Sequence, residues 1–509
     1  MTEHYLDRLA RTINANWDAP ALTDFYLTED GTAQDTSRGN HYTYGEMYME
    51  MLRLGELFKQ LGLQKGDHIA ICGANSAHWA IAYLAIAAYQ GVSVTILHTQ
   101  SPEDIARQID FSDAKALFTD EDLWREVKVQ SMPQIEQVIS LENWHVLCGK
   151  KVQKTIQEVG MGKQKVSLEL GDAEDLAMIC FTSGSSGNAK GVMIPNRSIN
   201  NVALNEIHGF PKSTNKNYVS LLPFAHTYGM MTDMIGQLVL EKHIYIPHTI
   251  GAIQILTIMS IVKPYAIVTI PNVLALLYSK YKGQLSTVIG GRCEQLYIGG
   301  AALSQELTEG MVAMGMPFSM GYGVSETCFL ISYIQSHEYR FKSAGKICSG
   351  MTACIAPNGE ILVKGENVML GYYKNPEATA QKIDADGWLH TGDRGYLDED
   401  GYLYVEGRLE QDMIVLPNGE NIHPDNIESK INALPEVAES IVIAREGKLV
   451  AIVVVSGELS ADSRTALRLS ILRSVNAQLP MYAQIYDIEW SEEPLARTAK
   501  QTIKRYLYK

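Results

Sequence analysis

Apolar side chains recur at helical spacing near the start of the chain. Between Thr43 and Gly62 they fall at steps of three and four residues, which predicts an amphipathic helix. The side chains concerned are Met47, Met51, Leu54, Phe58 and Leu61. Apolar runs at His68–Cys72 and Val92–Leu97 enclose a second helical pattern, Trp79–Tyr89. This alternation of strand and helix patterns predicts a parallel sheet layered with helices.

Further apolar runs predict buried strands through the middle of the chain. These runs are Leu176–Thr182, His243–Pro247, Ala266–Ile270 and Gln295–Ile298. Beyond about residue 350 the pattern changes to short strands separated by Gly and Asp turns, as at Gly359–Lys364, Gly395–Asp398 and Gly401–Val405. We therefore predict an α/β fold with a large N-terminal domain of layered sheets and helices that includes a β-rich subdomain.

The last hundred residues have a pattern of their own. Strand-like runs at Ser440–Ala444, Leu449–Val455 and Tyr486–Trp490 surround a helical stretch, Ser463–Leu479. This is enough for a separate small α+β core. We expect an N-terminal domain of residues 1–409 and a small, mobile C-terminal domain of residues 410–509.

Composition narrows the class of protein. The chain has 509 residues, of which 46% are hydrophobic and 20% charged, as in globular proteins with more than one domain. The formal net charge of −15 argues against a surface for nucleic acid, because phosphate neutralisation needs clustered Lys and Arg. An anionic substrate must therefore meet positive charge at a local site.

Location is inferred from what the sequence lacks. Met1–Ala10 has no apolar run after a basic segment, and no stretch reaches the 18 apolar residues of a membrane span. The seven cysteines are scattered and include no CxxC pair, as expected of incidental thiols in a reducing compartment. We expect a cytoplasmic protein.

The segment Phe181–Val192 carries the strongest chemical signal. Its glycines let backbone N–H groups converge, its hydroxyls add donors and Lys190 adds positive charge, a combination suited to polyphosphate. It is not a Walker A loop, because Asn188 and Ala189 separate the second glycine from the lysine. The alternative, a flexible Gly/Ser connector, is disfavoured by apolar strands on both sides. The candidate phosphate ligands are Thr182, Ser183, Gly184, Ser185, Ser186, Gly187 and Lys190.

Two further segments suit a nucleotide. In Gly321–Thr327, two glycines bracket Tyr322, whose ring can lie against a purine, and the Glu326 carboxylate suits Mg²⁺. Ser325 can hydrogen-bond a phosphate. Asp393 can accept both ribose hydroxyls. A tight turn with an exposed acid, and an ordinary Asp turn, are the structural alternatives for the two segments.

Together these motifs resemble those of the adenylate-forming superfamily, which contains acyl-CoA synthetases, luciferases and peptide-synthetase adenylation domains. The matching segments occur in family order and spacing, and they are Phe181–Val192, Gly321–Thr327, Gly387–Asp393, and Gly407–Arg408 followed by Asn418–Pro424. Within the superfamily, Tyr42–Glu46, Gly66–Asp67 and Asn421–Pro424 most resemble fatty acyl-CoA synthetases.

The resemblance implies roles for individual residues. Tyr322 stacks on adenine, Glu326 holds Mg²⁺, and Asp393 and Arg408 hold the ribose or phosphate side of ATP. Further nucleotide contacts fall on Gly299, Gly300, Ala301, Gly321, Gly323 and Ser325. The acyl side falls on His226, Tyr228 and Gly229. No acid after His226 is placed like the amino-acid-binding Asp of peptide synthetases, which favours an unsubstituted acyl chain.

The C-terminal motif departs from the family pattern. The family's catalytic lysine follows a threonine by four positions, and counting from Thr498 that position is Thr502. Lys500 and Lys504 flank it, and a shift of two keeps a side chain on the same face of an extended segment. We expect Lys500 to be the catalytic lysine and Lys504 to be second. The hinge, at which the small domain swings, falls between Glu410 and Asp412.

The implied reaction uses ATP, Mg²⁺ and coenzyme A. A carboxylic acid, expected to be a fatty acid, attacks the α-phosphate of ATP, and the acyl adenylate is passed to the thiol of coenzyme A. The catalytic residues expected are Lys190, His226, Glu326 and Lys500. An acyl-carrier-protein ligase and a catalytically impaired nucleotide or acyl-AMP binding protein are the alternatives. A nicotinamide dehydrogenase is disfavoured, because no GxGxxG opens a helix after a strand.

Overall fold

The chain divides into two compact units. The structure is a computed structural model and describes residues 4–128, 132–149, 166–182, 189–248, 251–281, 284–299, 303, 305–408, 414–416, 420–422, 424–457, 460–496 and 507–508. The larger unit consists of Met1–Thr182, Lys190–Thr391 and Tyr396–Val405, and the smaller is formed mainly by Glu406–Lys509. Gly392–Gly395 groups with the smaller unit. The expected α/β fold class, with a large unit of sheets and helices and a smaller α+β unit, is confirmed.

The helices of the described residues are short to medium in length. They are α1 Tyr5–Ala15, α2 Tyr44–Gln60, α3 Ala77–Ala88, α4 Pro102–Phe111, α5 Glu121–Val127, α6 Asn196–Gly209, α7 Thr227–Gly229, α8 Gly236–Val239, α9 Ala252–Val262, α10 Pro271–Tyr281, α11 Leu285–Val288, α12 Gln305–Ala313, α13 Pro376–Lys382, α14 Pro424–Asn432 and α15 Ala461–Ser474. A π-helix, Met230–Ile235, joins α7 to α8, and Ser325–Thr327 is a 3₁₀ turn. Within the described part of the chain, no helix is long and apolar enough to cross a membrane.

The strands of the first half of the chain are β1 Pro20–Phe25, β2 His41–Thr43, β3 His68–Cys72, β4 Val92–Ile96, β5 Ala116–Thr119, β6 Gln137–Ser140, β7 Val146–Gly149, β8 Leu176–Thr182, β9 Lys190–Pro195, β10 Asn217–Val219 and β11 His243–Pro247. Those of the second half are β12 Ala266–Thr269, β13 Gln295–Ile298, β14 Phe318–Tyr322, β15 Ser332–Gln335, β16 Ser343–Ile347, β17 Met351–Ile355, β18 Glu360–Gly365, β19 Gly371–Tyr372, β20 Leu389–Leu397, β21 Tyr402–Arg408, β22 Ile414–Val415, β23 Asn421–Ile422, β24 Val437–Arg445, β25 Lys448–Val455 and β26 Ile485–Ser491.

Helix α2 forms where the apolar spacing predicted it. Thr43 caps it by accepting from the backbone N–H of Glu46, whose carboxylate accepts in return from the Thr43 N–H at 2.8 Å. The apolar positions that predicted the helix are all buried, and they are Met47, Met51, Leu54, Phe58 and Leu61. The second predicted helix, α3, is buried on every side. Its apolar surface therefore reflects a central place in the core rather than one buried face.

An eight-stranded sheet has the order β19-β9-β8-β4-β3-β5-β6-β7. Its centre, from β8 to β6, is parallel as predicted. Its edges are not, because β7, β9 and β19 each pair antiparallel with their neighbours. The hairpin of β8 and β9 places the glycine-rich segment at the carboxyl end of a central strand. That end of a parallel strand is where ligands usually bind in open α/β sheets.

Two more sheets complete the larger part of the fold. A nine-stranded sheet has the order β12-β13-β14-β15-β16-β21-β20-β18-β17, and a four-stranded sheet has the order β10-β11-β1-β2. The predicted strand Gly395–Asp398 was wrong in extent, because β20 already begins at Leu389. Two of its inward-facing side chains are polar, Thr391 and Asp393. A hydrophobicity pattern therefore cannot reveal the first half of this strand.

The smaller unit has its own apolar core around a three-stranded sheet, β24-β25-β26, with α14 and α15. The predicted helix Ser463–Leu479 was too long, because α15 ends at Ser474. Just beyond it, the Asn476 amide donates to the carbonyl of Ile485 at 2.9 Å and accepts from its N–H at 2.8 Å. This side chain hydrogen-bonds the start of β26 instead of continuing the helix.

Candidate active site

The phosphate-loop candidate is anchored by a hairpin. Thr182, the last residue of β8, lies directly opposite Lys190, the first residue of β9. The strand register therefore brings two of the predicted phosphate ligands together. Other predicted site residues lie outside the described residues. They belong to the loop, to the Gly299 segment and to the C-terminal motif, and they are Ser183, Gly184, Ser185, Ser186, Gly187, Gly300, Ala301, Lys500 and Lys504.

Tyr372 connects Lys190 to Glu326. Strand β19 pairs with β9, with Tyr372 opposite Val192, so its ring lies beside the start of β9. The Lys190 ammonium lies 5.0 Å from the centre of that ring. The Tyr372 hydroxyl donates to Oε1 of Glu326 at 2.6 Å. A cation and a carboxylate predicted from separate motifs thus share one tyrosine.

The phenol of Tyr372 keeps its proton at neutral pH. Burial, and then the negative charge of Glu326, raise the pKa of Tyr372 well above its usual range. The phenol is therefore the donor in the short bond to the carboxylate. The second oxygen of Glu326 is left for another partner.

Glu326 sits on a tight turn. The two residues that follow its 3₁₀ turn, Cys328 and Phe329, have φ angles of 48° and 73°, in the left-handed region that non-glycine residues rarely adopt. At Gly323 a Cβ atom would lie 2.0 Å from the carbonyl oxygen of Phe329, so only glycine fits there. Backbone hydrogen bonds close the turn, including Phe329 N–H to the Val324 carbonyl at 3.0 Å. Such conformations persist only where the surrounding structure enforces them.

The other predicted nucleotide contacts of this segment lie at the end of β14. Gly321 and Tyr322 pair with Tyr333 and Ser332 of β15. Gly321 is exposed, whereas Tyr322 and Ser325 are half-buried. The segment therefore offers an aromatic ring, a hydroxyl and the Glu326 carboxylate within six residues of one rigid strand end.

A second group of residues holds the His226 segment by its backbone. The Asn75 amide donates to the Leu222 carbonyl at 2.7 Å and accepts from the Phe224 N–H at 2.8 Å. The Thr95 hydroxyl donates to the Ala225 carbonyl at 3.1 Å. Asn75 follows β3 and Thr95 lies near the end of β4. Since β3, β4 and β8 are adjacent parallel strands, these residues and Thr182 lie at the same edge of the sheet.

Asp233 also holds this segment by its backbone. It lies on the π-helix, is fully buried, and its carboxylate accepts from the Leu221 and Leu222 N–H groups at 2.7 and 2.8 Å. The hydroxyls of Tyr218 and Ser220 also donate to it, at 2.7 and 3.1 Å. Burial raises its pKa to about 6, and these donors limit the rise.

His226 begins helix α7 as its N-cap. Its Nδ1 accepts from the Tyr228 N–H at 3.3 Å, so in the neutral ring the proton lies on Nε2. Desolvation by the surrounding protein lowers the pKa of His226, although part of its surface is exposed to solvent. The neutral imidazole presents an Nε2–H donor.

One predicted acyl-side residue, Tyr228, lines a cavity that Gly321 also lines. The cavity is small and partly open to solvent. Its described lining residues are uncharged and include several aromatic rings, and they are Asn205, Gly209, Tyr228, Thr232, Tyr297, Ile298, Ser319, Met320, Gly321, Phe329, Leu330 and Tyr333. Two predicted glycines shape its surroundings. A Cβ atom on Gly299 would lie 2.8 Å from the Tyr228 ring, and one on Gly229 would lie 2.3 Å from the Pro223 carbonyl oxygen.

Three polar groups on the cavity wall bond to the protein backbone. The Asn205 amide donates to the Asn201 and Ser349 carbonyls at 2.8 and 3.2 Å. The Thr232 hydroxyl donates to the Tyr228 carbonyl at 2.6 Å, and the Tyr297 hydroxyl donates to the Gly209 carbonyl at 2.5 Å. The cavity therefore suits the uncharged, apolar body of a small molecule.

The predicted ribose ligands belong to the other part of the chain. Asp393 lies on β20 within Gly392–Gly395, which groups with the smaller unit, and it is 6% exposed. Arg408 is the last residue of β21, and its side chain lies outside the described residues. Their roles toward the nucleotide remain predictions.

The donor set around Glu326 fits a metal that arrives with its substrate. Among the residues that the structure describes, no group of three or more His, Cys, Asp or Glu side chains could hold a metal ion. Mg²⁺ usually binds to one or two carboxylates together with substrate phosphates and water. One oxygen of Glu326, the one not taken by Tyr372, suits that mode of binding.

Four residues that organise the site were not among those predicted from the sequence: Asn75, Thr95, Asp233 and Tyr372. The sequence does contain a usable signal for two of them, Tyr372 and Asp233. Tyr372 follows Gly371, whose φ is 140°, in a Gly-Tyr-Tyr segment that leads into the Asn375 cap of α13. Asp233 is an acid in an apolar stretch, a pattern that indicates a buried and hydrogen-bonded carboxylate.

Comparison with known proteins covers nearly the whole chain. A family model described as "AMP-binding enzyme" matches residues 9–373, and one described as "AMP-binding enzyme C-terminal domain" matches residues 411–508. The chain is 27% identical to a 2-succinylbenzoate–CoA ligase of Bacillus cereus over 509 residues, covering 95% of this chain and 96% of that protein. It is 26% identical to the long-chain-fatty-acid–CoA ligase FadD15 of Mycobacterium bovis over 443 residues, covering 75% and 72%.

Solved structures share the fold. O-succinylbenzoate CoA synthetase (MenE) of Bacillus subtilis, a double mutant bound to a product analogue, superimposes with a TM-score of 0.78 at 23% identity, covering 98% of this chain and 97% of that one. A Mycobacterium tuberculosis fatty acyl CoA synthetase gives a TM-score of 0.65 at 21% identity, covering 99% and 97%.

Proposed function

The chain belongs to the AMP-binding enzyme family of adenylate-forming enzymes, and on that premise we propose that it is an AMP-forming acid–CoA ligase. It uses ATP and Mg²⁺ to convert a carboxylic acid to an acyl adenylate, then passes the acyl group to coenzyme A. The observation that carries the proposal is the contact of Tyr372 with both Lys190 and Glu326. The family relatives named as CoA ligases support the choice of acceptor.

The chemistry needs positive charge more than a protein nucleophile. Both the carboxylate and the triphosphate are anionic, so attack on the α-phosphate requires charge neutralisation and in-line positioning. Lys190 supplies a cation, and Glu326 holds Mg²⁺, which supplies further positive charge to the phosphates when bound. His226 donates from Nε2 on the acyl side. Pyrophosphate leaves, and the thiol then displaces AMP from the mixed anhydride.

We propose that the acid is an apolar monocarboxylic acid, with a fatty acid as the first candidate. The uncharged lining of the cavity beside Gly321 supports an acid without a second charged group. Asp233 supports the same choice, because its hydrogen bonds go to the protein and it is not part of the cavity lining. An ammonium group on the substrate would find no carboxylate among the described lining residues.

The remaining site residues are proposed from the family pattern. Tyr322 packs on adenine, Asp393 and Arg408 hold the ribose or phosphates, and the Ser183–Gly187 loop holds the phosphates. Lys500, or failing that Lys504, contacts the carboxylate and α-phosphate. We place the domain boundary between residues 409 and 410, which the start of the second family match at residue 411 supports. A cytoplasmic location is also proposed.

One experiment tests the activity and both alternatives. ATP–pyrophosphate exchange is measured with fatty acids of several lengths, 4-coumarate and 2-succinylbenzoate, followed by thioester formation with coenzyme A. We expect exchange with apolar monocarboxylates and consumption of free coenzyme A. Exchange without use of free coenzyme A would indicate an acyl-carrier-protein ligase. No exchange with any acid would indicate an impaired binding protein and contradict the proposal.

The same assay assigns the terminal lysine. Lys500→Ala is expected to abolish exchange while the Lys504→Ala protein retains it, because the catalytic lysine acts on the carboxylate and α-phosphate together. Normal exchange by Lys500→Ala would move the role to Lys504. Transfer from a supplied acyl adenylate to coenzyme A serves as the control for folding of both variants.

A further inference from the structure

Tyr372 makes two contacts that join the predicted phosphate loop to the predicted metal carboxylate. Its hydroxyl donates to Oε1 of Glu326 at 2.6 Å, and its ring lies 5.0 Å from the Lys190 ammonium. Glu326 is 46 residues away along the chain. Among the described residues, Tyr372 thus touches both predicted ligands through different parts of one side chain.

The backbone holds Tyr372 in place independently of these contacts. Tyr372 pairs with Val192 of β9, and its N–H donates to the Thr379 hydroxyl at 2.8 Å. On either side, the Leu370 N–H donates to the Met193 carbonyl at 2.9 Å and the Tyr373 N–H donates to the Gly191 carbonyl at 2.8 Å. The tyrosine ring is therefore fixed to the strand that begins with Lys190.

Glu326 is fixed to the same strand pair through its backbone. Its carbonyl accepts from the Met369 N–H at 2.9 Å, three residues before Tyr372. The carboxylate lies at the end of a side chain with several rotatable bonds. A hydrogen bond from a rigidly held phenol restricts its rotation and fixes the position of Oε1.

We propose that Tyr372 is a positioning residue for the nucleotide: its hydroxyl orients the Glu326 carboxylate toward Mg²⁺, and its ring orients the Lys190 ammonium toward the phosphates. This inference rests on the proposed function, because it takes Glu326 as the metal carboxylate and Lys190 as the phosphate cation. The two contacts have separable consequences. The hydroxyl acts only on metal-dependent binding, whereas the ring acts on phosphate binding with or without the metal.

Two substitutions separate the hydroxyl from the ring. Tyr372→Phe removes the bond to Glu326 and keeps the aromatic face under Lys190. Tyr372→Leu removes both. Tyr373→Phe is a matched control, since the neighbouring tyrosine also loses a hydroxyl that donates to a carboxylate, but that carboxylate is Asp113, at 2.8 Å, rather than Glu326.

The primary measurement is binding rather than turnover. Isothermal titration calorimetry in the absence of acid gives the dissociation constants of ATP with Mg²⁺ and of ATP with EDTA. Tyr372→Phe is expected to weaken binding of Mg²⁺·ATP about tenfold, the size expected for a hydrogen bond to a charged group, and to change binding of metal-free ATP less than about twofold. Tyr372→Leu is expected to weaken both. Tyr373→Phe is expected to match the wild-type protein.

Outcomes of these titrations are distinct from failure of the proposed function. Equal dissociation constants for Tyr372→Phe and wild type, or equal weakening with and without Mg²⁺, would overturn the positioning role. The thermal-unfolding midpoint of Tyr372→Phe should equal that of Tyr373→Phe. Equal midpoints show that weaker binding does not come from loss of the fold. Wild-type protein that gives no pyrophosphate exchange with any acid would instead count against the proposed activity.

Discussion

The two halves of the candidate site are built differently. On the nucleotide side, strand register does most of the positioning: β8, β9 and β19 place Thr182, Lys190 and Tyr372 next to one another. On the acid side, the side chains of half-buried Asn75 and buried Asp233 hold an irregular segment by its backbone. The first arrangement survives loss of a side chain, and the second depends on individual side chains.

This contrast indicates which substitutions should lower activity without lowering stability. Side chains that the strands present can be changed with little effect on folding, because the backbone ladder that positions them remains. A buried polar side chain that hydrogen-bonds several backbone groups cannot be changed without destabilising the fold, because its loss leaves those groups unpaired in the core. We therefore expect nucleotide-side variants to lose chemistry alone, and acid-side variants to lose stability and acid binding together.

The largest effect on chemistry is expected for Glu326→Gln. The amide keeps the size of the side chain and can still accept from Tyr372, but it removes the charge that suits Mg²⁺. Pyrophosphate exchange should fall about 10²–10³-fold, as for loss of one charge-stabilising group, with a change in unfolding free energy below about 1 kcal/mol. Glu399→Gln, at an exposed turn, is the control. If Glu326→Gln destabilised the fold as much as an acid-side variant does and left pyrophosphate exchange unchanged, the contrast between the two sides would be wrong.

The largest effect on stability is expected for Asp233→Ala. Two backbone N–H groups and two hydroxyls lose their acceptor in a fully buried place. We expect a loss of about 3 kcal/mol in unfolding free energy, measured by urea, and a raised KM for the acid. Asp233→Asn keeps an acceptor oxygen and should lose less. An Asp233→Ala protein as stable as the wild type would contradict the account of the acid side.

The same carboxyl group predicts a pH dependence of stability. Burial raises the pKa of Asp233 to about 6, so between roughly pH 4 and 6 the folded protein keeps a proton that the unfolded chain has lost. This contribution is fully present below about pH 4 and is lost as the pH rises through 6. Relative to Asp233→Asn, wild-type stability should fall across that window by on the order of 3 kcal/mol. A constant difference between the two proteins would contradict the raised pKa.

The smallest effect is expected for Gly299→Ala. Its Cβ would lie 2.8 Å from the ring of Tyr228, which lines the cavity. Because the contact falls on the far end of a side chain that can turn, stability should change by less than about 1 kcal/mol. The KM for the acid should rise a few-fold, and the KM for ATP, for which Gly299 is a predicted contact, should rise by less. A larger effect on ATP than on the acid would place the contact of Gly299 on the nucleotide side alone.

The sequence predicted the parts of the site that lie within single segments. Thr182 and Lys190 come from one loop, and Glu326 and Tyr322 from one strand end, so local residue types and spacing were sufficient. The contacts that join segments were not predictable in this way. The hydroxyl of Tyr372 reaches a carboxylate 46 residues away, and the amide of Asn75 reaches a carbonyl 147 residues away. Such pairs depend on the order of strands in the sheet.

The same limit explains where predicted elements differ from the fold. The buried polar residues Thr391 and Asp393 concealed the start of β20, and the side chain of Asn476 ended a helix whose apolar spacing continued. Antiparallel pairing at the edges of the eight-stranded sheet also left no periodic signal. In each case a specific tertiary contact, rather than local propensity, determined the outcome.

A crystal structure with a non-hydrolysable acyl-sulfamoyl adenosine tests the central claim most directly, since that compound imitates the acyl adenylate. The account predicts the adenine against Tyr322, the sulfamoyl group beside Lys190 and Glu326, and the acyl group in the cavity lined by Tyr228 and Gly321. A nucleoside bound away from Lys190 and Glu326, or an acyl group outside that cavity, would contradict it.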